Sequence, residues 1–242
     1  MKIKIISWNM RHTLNAWEYL KKELKPDIAL LQEAPKYPDG LFNNIIHDVI
    51  GQFGKKNYKW GNAIVSDSIS LTPIKIATKY KGCLQVAKAE YSTDKYFSLI
   101  NLYGIIEDGY SSIGLHNMLS DLTWLLDGQT DIDKKFLLAG DFNNHRVMDV
   151  KLGRKGTRNS EILFDRILNF NLVDCIALHY PEGIQTYRHN RGKFPWQLDH
   201  LYCSNKGFGE LSSLEVIENA EILKLSDHNP VIATFEFNDE KD

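Results

Sequence analysis

Short apolar runs rich in β-branched and aromatic residues recur along the whole chain and alternate with stretches of helical spacing, a pattern that reads as α/β. Strands are predicted over 3–8, 28–31, 60–65, 84–91, 96–102, 136–139, 198–203 and 231–237. After the first of these, Leu14, Trp17, Leu20 and Leu24 fall at helical spacing until Pro26 stops the pattern. Further helices are predicted over 42–50, 113–126 and 160–169; in the last, Ile162, Leu163 and Ile167 form an apolar stripe beside a charged face. The longest stretch without a clear element runs from about Tyr180 to Trp196, and a loop of that length inside a domain is usually functional. No repeat, low-complexity tract or Pro/Gly/Ser linker divides the sequence, so 1–242 is expected to form a single domain.

Composition narrows the class. With 43% hydrophobic residues the chain can build a substantial core, which excludes disorder as its main state. Its 29 Lys and Arg against 31 Asp and Glu leave a formal charge of −2, so it does not hold nucleic acid by a bulk positive field, although a local basic rim remains compatible. The sequence lacks an apolar run of about 18 residues, and its opening MKIKIISWNM meets Asn9 too early for a signal peptide. Cys83, Cys175 and Cys203 are odd in number and widely spaced, against both a disulfide framework and a structural zinc site. A soluble protein of the reducing cytoplasm is the expectation.

Candidate chemistry gathers at the ends of the predicted strands: Asn9 in SWNM, Glu33 in LLQEA, Asp141 and Asn143 in GDFNN, Asp199 in QLDHLY, and Asp227 with His228 in SDHNP. Any one of these, taken singly, reads as a turn or cap residue. Asn9 fits a strand-to-loop turn, and Tyr103 in NLYG a half-buried strand aromatic. Five such clusters in one chain, in this order, point instead to a shared site at strand ends.

In that order and with those neighbours, the clusters resemble the endonuclease/exonuclease/phosphatase superfamily, the DNase I-like group that includes exonuclease III and the abasic-site endonucleases. The resemblance spans residues 3–231 and is specific, because GDFN followed by L-D-H-L-Y and S-D-H-x-P is hard to meet by chance. It implies a four-layer α/β/β/α sandwich of two packed mixed sheets flanked by helices. It also implies hydrolysis of a phosphoester with a divalent metal, usually Mg2+, with Mn2+ able to substitute. An anionic phosphodiester needs a cation to offset charge on its oxygens, and Mg2+ takes oxygen ligands from one or two carboxylates. The resemblance makes Glu33 the first-choice metal ligand, with Asn9 beside it and Asp227 contributing a further oxygen. Asp141 would orient or deprotonate the attacking water, Asn143 would donate to a phosphate oxygen, and Tyr103 would reach the same phosphate. His228 would contact the scissile phosphate, with Asp199 fixing its tautomer and favouring its charged form.

Basic residues fall where the resemblance places substrate loops: Lys151, Arg154, Lys155 and Arg158 after GDFNN, and Arg188, Arg191 and Lys193 before Asp199. Tyr187 and Trp196 share the second of these loops and suit a site that stacks a base or packs against a sugar. His145, close to GDFNN, is a further substrate-contact candidate, while His200 reads as a strand residue in the place of an aromatic.

Two features depart from the pattern. Abasic-site nucleases carry a second acid two residues after the first Asn, where this chain has Arg11, which argues against a two-metal site. Inositol phosphatases carry Asp-Arg where this chain has Asp199-His200. The leading expectation is therefore a metal-dependent nuclease acting on DNA or RNA. The alternative is a phosphatase or phosphodiesterase on a smaller phosphoester: a phosphoinositide, a sphingolipid head group or a tyrosyl-DNA adduct. A binding protein on a decayed fold is disfavoured, since Glu33, Asp141, Asn143, Asp199 and His228 are all present.

Overall fold

The computed structural model describes residues 1–127, 135–154, 157–188, 194–205 and 208–237. Alternation along the strands sets its layers. In β1 (Lys2–Asn9), Ile3 and Ile5 face one way and Ile6 and Trp8 the other, and all four are buried. A strand apolar on both faces must be covered on both. The same holds in β2 (Ile28–Ala34), β8 (Phe136–Asp141) and β10 (Asp199–Ser204), where Leu30, Leu137, Ala139 and Leu201 share the inner core with Ile3 and Ile5.

The remaining strands are β3 (Asn44–Phe53), β4 (Lys56–Ser66), β5 (Ser70–Ile74), β6 (Leu84–Ser92), β7 (Lys95–Tyr103), β9 (Leu172–Asp174), β11 (Glu210–Val216) and β12 (Val231–Glu236). They build two six-stranded sheets, ordered β11-β12-β1-β2-β4-β3 and β5-β6-β7-β8-β10-β9. Each sheet is mixed: β1 runs parallel to β2 and antiparallel to β12, and β8 parallel to β7 and antiparallel to β10. On the first sheet, Trp17 of α1 (Asn15–Tyr19) and Leu20 and Leu24 of the π-helical turn that continues it pack over Ile6, Trp8 and Leu31. On the second, α2 (Ser111–Asp121), α3 (Thr123–Leu126) and α5 (Asn159–Asn169) pack over Ile100, Leu102 and Leu138; the short α4 (Met148–Lys151) precedes α5. Two further short helices are α6 (Cys175–His179) and α7 (Ala220–Leu225). The result is the expected four-layer α/β/β/α sandwich, the DNase I-like fold.

One predicted element is corrected. Residues 42–50, expected to be helical, lie mostly in β3, paired antiparallel with β4. The apolar pairs Ile45–Ile46 and Val49–Ile50 mimic helical spacing, but Ile45 packs on the helical layer and Ile46 on the inner core, the two-faced pattern of a strand. The predicted helix over 113–126 is divided at Leu122 into α2 and α3. Residues 180–188 and 194–198 form neither helix nor strand beyond bridges from Tyr187 to Trp196 and to His228, in line with the absence of a clear element in the sequence pattern.

Candidate active site

Strand direction brings the polar clusters together. The C-terminal ends of β1, β2, β7 and β8 carry Asn9, Glu33, Tyr103 and Asp141. Because β10 and β12 run antiparallel to their neighbours, the starts of these strands reach the same end: Asp199 sits directly opposite Asp141, and His228 lies three residues before β12.

Asp141 is fully buried. Its Oδ2 accepts from Asn9 Nδ2 at 2.9 Å and lies 3.8 Å from His228 Nε2, while its Oδ1 accepts from the Asn143 amide at 2.7 Å. The turn that aims it requires glycine before it: Gly140 has φ +147°, and a Cβ there would lie 1.9 Å from the Leu102 carbonyl oxygen. On the far side of the imidazole, His228 Nδ1 is 2.8 Å from Asp199 Oδ2. Asp141, Asp199 and His228 thus form a buried line in which one ring bridges two carboxylates. Burial pushes Asp141 up to about 7, with the charge of Asp199 adding to that and His228 opposing it. Burial alone would depress His228, but the charges of Asp199 and Asp141 outweigh it and push the imidazole up to about 10.

Glu33 stands on a β-bulge, with φ 46°, where pairing of β2 with β4 shifts between Leu31 and Ala34. The bulge turns its carboxylate toward Tyr103, whose hydroxyl donates to Glu33 Oε1 at 3.0 Å; His12 Nδ1 lies 3.4 Å from Oε2. Burial first, then the Glu33 charge, raises Tyr103 well above its ordinary value and keeps it a donor. Trp60 packs edge-on against the Tyr103 ring, 5.3 Å between centroids. Asp227 is partly exposed and faces Arg11 Nε at 3.8 Å.

Several residues that support the site were not singled out from the sequence. Asn101 crosses between the sheets: its Nδ2 donates to the Leu31 and Ala63 carbonyls, and its Oδ1 accepts from Gln32 Nε2. It therefore clamps β2 to β4 at the last regular pair before the bulge that presents Glu33. Ser226 donates to the Asn9 carbonyl at 2.7 Å and accepts from the His228 amide at 3.0 Å, tying the two loops together. Thr186 Oγ1 accepts from the amides of Leu198 and Asp199. Polar residues inside otherwise apolar strands, such as Asn101 in SLINLY, are the signal that marks such clamps, because a buried amide is tolerated only when bonded.

The substrate-loop candidates separate. Tyr187, Trp196 and Arg154 line one cavity of about 440 Å³ together with Asn143. Arg188 is held instead by Asn229 and by Glu218 at 3.2 Å. His145 packs edge-on behind Trp196, 6.0 Å between ring centroids. Lys155, like Arg191 and Lys193, lies outside the described residues. His200 is wholly buried beside Phe142 and Phe164, as its position in the strand suggested, and its Nε2 donates to the Asn144 carbonyl at 3.0 Å.

A divalent ion has two sets of side chains to consider. Among the described residues, Asp141, Asp199 and His228 form a group whose ligand atoms all lie within 4.8 Å of one another. The 2.8 Å contact between His228 and Asp199 already accounts for their pairing by a shared proton. Glu33, Asn9 and Asp227 offer oxygen donors at the same end of the sheets, a set that suits a hard cation.

The chain matches the model of the endonuclease/exonuclease/phosphatase family over residues 6–228, and it belongs to that family. No curated protein matches it by sequence. Solved structures share its fold at low identity. An AP endonuclease from Archaeoglobus fulgidus is 20% identical with a TM-score of 0.70, over 97% of this chain and 100% of that one. AP endonuclease LMAP from Leishmania major is 16% identical with a TM-score of 0.71, over 98% and 88%. The 2',3'-cyclic phosphatase ANGEL2 is 15% identical with a TM-score of 0.66, over 97% and 95%. Membership of this family makes the protein a metal-dependent phosphoester hydrolase of the nuclease or phosphodiesterase kind.

Proposed function

We propose that this protein is a Mg2+-dependent nuclease that cleaves DNA or RNA by in-line attack of a water activated by Asp141. The observation that carries the reading is the buried line Asn9–Asp141–His228–Asp199: a carboxylate raised to about 7 beside an imidazole raised to about 10. Near neutral pH such a pair supplies a base able to take a proton from water and a cation facing the phosphate. Asp141 accepts the proton of the attacking water. His228, held in one tautomer by Asp199, offsets negative charge on the phosphoryl oxygens. Asn143 donates a hydrogen bond to a nonbridging oxygen, and Tyr103 does so when its hydroxyl turns from Glu33 to the phosphate.

Glu33 would hold the cation, with oxygens of Asn9 and Asp227 beside it, and Mn2+ would substitute for Mg2+. When bound, the ion supplies positive charge to the phosphoryl group in the transition state. Arg11, beside Asp227, occupies the side where a second ion would need a carboxylate, which favours one ion. Tyr187, Trp196 and Arg154 would contact the nucleotide next to the cut. Arg188 would act from the side of the site, His145 would support Trp196, and Lys155, on its place in the sequence alone, is a proposed substrate contact. Three free cysteines fit a reducing cytoplasm, and among the described residues no helix is long and apolar enough to cross a membrane.

One observation favours the alternative, a smaller phosphoester: the cavity beside Asn143 is mostly apolar and would also hold a bulky alcohol. The same experiment separates the two. End-labelled DNA and RNA and bis-p-nitrophenyl phosphate are incubated with Mg2+, with EDTA, and with Mn2+ restored after EDTA. The nuclease reading expects strand cleavage that stops in EDTA and returns with either ion. Turnover of the small ester with intact strands favours the alternative, and cleavage that persists in EDTA overturns the role of the cation.

A further inference from the structure

The loop after β1 holds a side chain that the proposed chemistry does not use. Arg11 and His12 have φ of 46° and 47°, two consecutive left-handed positions of the kind that favours glycine. Hydrogen bonds hold them there: the Arg11 amide donates to Asn9 Oδ1 at 2.8 Å, and the His12 amide donates to the Glu33 carbonyl at 2.8 Å. Backbone strain kept in place by its surroundings is characteristic of a working site. Its effect here is to bring the His12 ring beside the Glu33 carboxylate, with Nδ1 3.4 Å from Oε2. The ring lies nearly parallel to that of Trp60, 11° between planes and 6.1 Å between centroids. Trp60 in turn packs edge-on against Tyr103, and Tyr103 donates to Glu33 Oε1. His12, Trp60, Tyr103 and Glu33 thus close a ring of contacts drawn from one loop and from strands of both sheets.

We propose that His12 Nδ1 is a nitrogen ligand of the cation that Glu33 holds, and that it gives the site a preference for Mn2+ over Mg2+; the inference rests on the reading of Glu33 above. Tyr103 occupies Glu33 Oε1, so Oε2 is the oxygen open to an ion, and His12 faces it. Their 3.4 Å separation is long for a hydrogen bond, whose N···O distance centres on about 2.9–3.0 Å. Two ligands at right angles on an octahedral ion with bonds of about 2.1 Å stand about 3.0 Å apart, a spacing that a small rotation of either side chain reaches. The pair is also open to solvent, with the His12 side chain 58% exposed and that of Glu33 17%, so an ion can enter and keep several waters. An exposed ion pair contributes little by itself and would not offset two strained backbone positions, whereas a bound ion would. The donor types then set the preference. Mg2+ takes oxygen ligands, and an imidazole nitrogen adds more to the binding of a first-row transition ion than to that of Mg2+.

The test uses Mn2+ alone, added to the tag-free full-length protein in a buffer without amines. His12→Asn removes the imidazole and keeps a residue suited to a left-handed backbone position. Electron spin-echo modulation of the bound Mn2+ is expected to show the nuclear coupling of a directly bound nitrogen in the wild type and none in the variant. Competition titrations follow the signal of free Mn2+. In His12→Asn the Mn2+ affinity is expected to fall at least about 10-fold, and that for Mg2+ to change by less than about 3-fold. Bound Mn2+ without nitrogen coupling in the wild type overturns the role of His12. In that case, loss of binding in Glu33→Gln leaves the reading of Glu33 standing, and undiminished binding removes it as well. Nitrogen coupling that survives in His12→Asn belongs to another imidazole and overturns the proposal, as does an equal loss of Mn2+ and Mg2+ affinity. Neither readout needs turnover, so the result holds whichever phosphoester the enzyme cuts.

Discussion

His200 lies at the second position of β10, wholly buried between Phe142 and Phe164, under the GDFNN turn. Its Nε2 donates to the Asn144 carbonyl, and its Nδ1 has no partner, so the ring is held neutral. Burial depresses it from 6.5 to about 3. A base depressed on folding is protonated in the unfolded chain first, so its contribution to stability is complete above 6.5 and is lost as pH falls toward 3. Between about pH 7.5 and about pH 5, that single group removes about 2 kcal/mol of unfolding free energy. His200→Phe fills the same aromatic slot without a titrating nitrogen. It leaves the Asn144 carbonyl without its donor, at a cost of about 1–3 kcal/mol that is the same at both pH values. The assay is urea denaturation of both proteins at the two pH values. The drop in unfolding free energy on acidification should be about 2 kcal/mol smaller in the variant than in the wild type. Equal drops would refute the assignment of a neutral, buried His200, whatever the absolute stabilities.

Two other perturbations test the support of the site. Asn101→Ala strips the Leu31 and Ala63 carbonyls of their donor, and the unfolding free energy in urea should fall by about 2–4 kcal/mol, with weaker divalent-cation binding because the Glu33 bulge loosens; unchanged stability would show that water replaces the clamp. Arg11→Ala removes a half-exposed positive charge 3.8 Å from Asp227, worth about 1 kcal/mol. Calorimetric titration should then show Mg2+ binding about fivefold tighter, and unchanged or weaker binding would separate Asp227 from the cation.

The strand ends were legible because each combines an apolar run with a polar stop, and because GDFN, L-D-H-L-Y and S-D-H-x-P each carry several residues of one turn. Their convergence was less visible in the pattern itself. It depends on antiparallel pairing that sets Asp199 opposite Asp141, a register no local periodicity encodes. Residues 42–50 were misread because Ile45 and Ile46 serve two different layers, which looks the same as one helical face when the layers are unknown. Arg188 illustrates a different limit: its place in a basic loop suggested a phosphate contact and gave no sign that Asn229 and Glu218 would engage its Nη2. Asn101 and Ser226 were passed over because their work is done through backbone carbonyls and amides of distant segments, which leave no spacing to read.

The central claim is that Asp141 is the base of a nuclease. The most direct measurement is cleavage of end-labelled single-stranded DNA, duplex DNA, duplex DNA with one abasic site, and RNA in Mg2+, with Asp141→Ala beside the wild type. The account predicts that the wild type cuts nucleic acid and that the variant is folded by circular dichroism but slower by about 10²- to 10⁴-fold. A folded variant that cuts at close to the wild-type rate would contradict it.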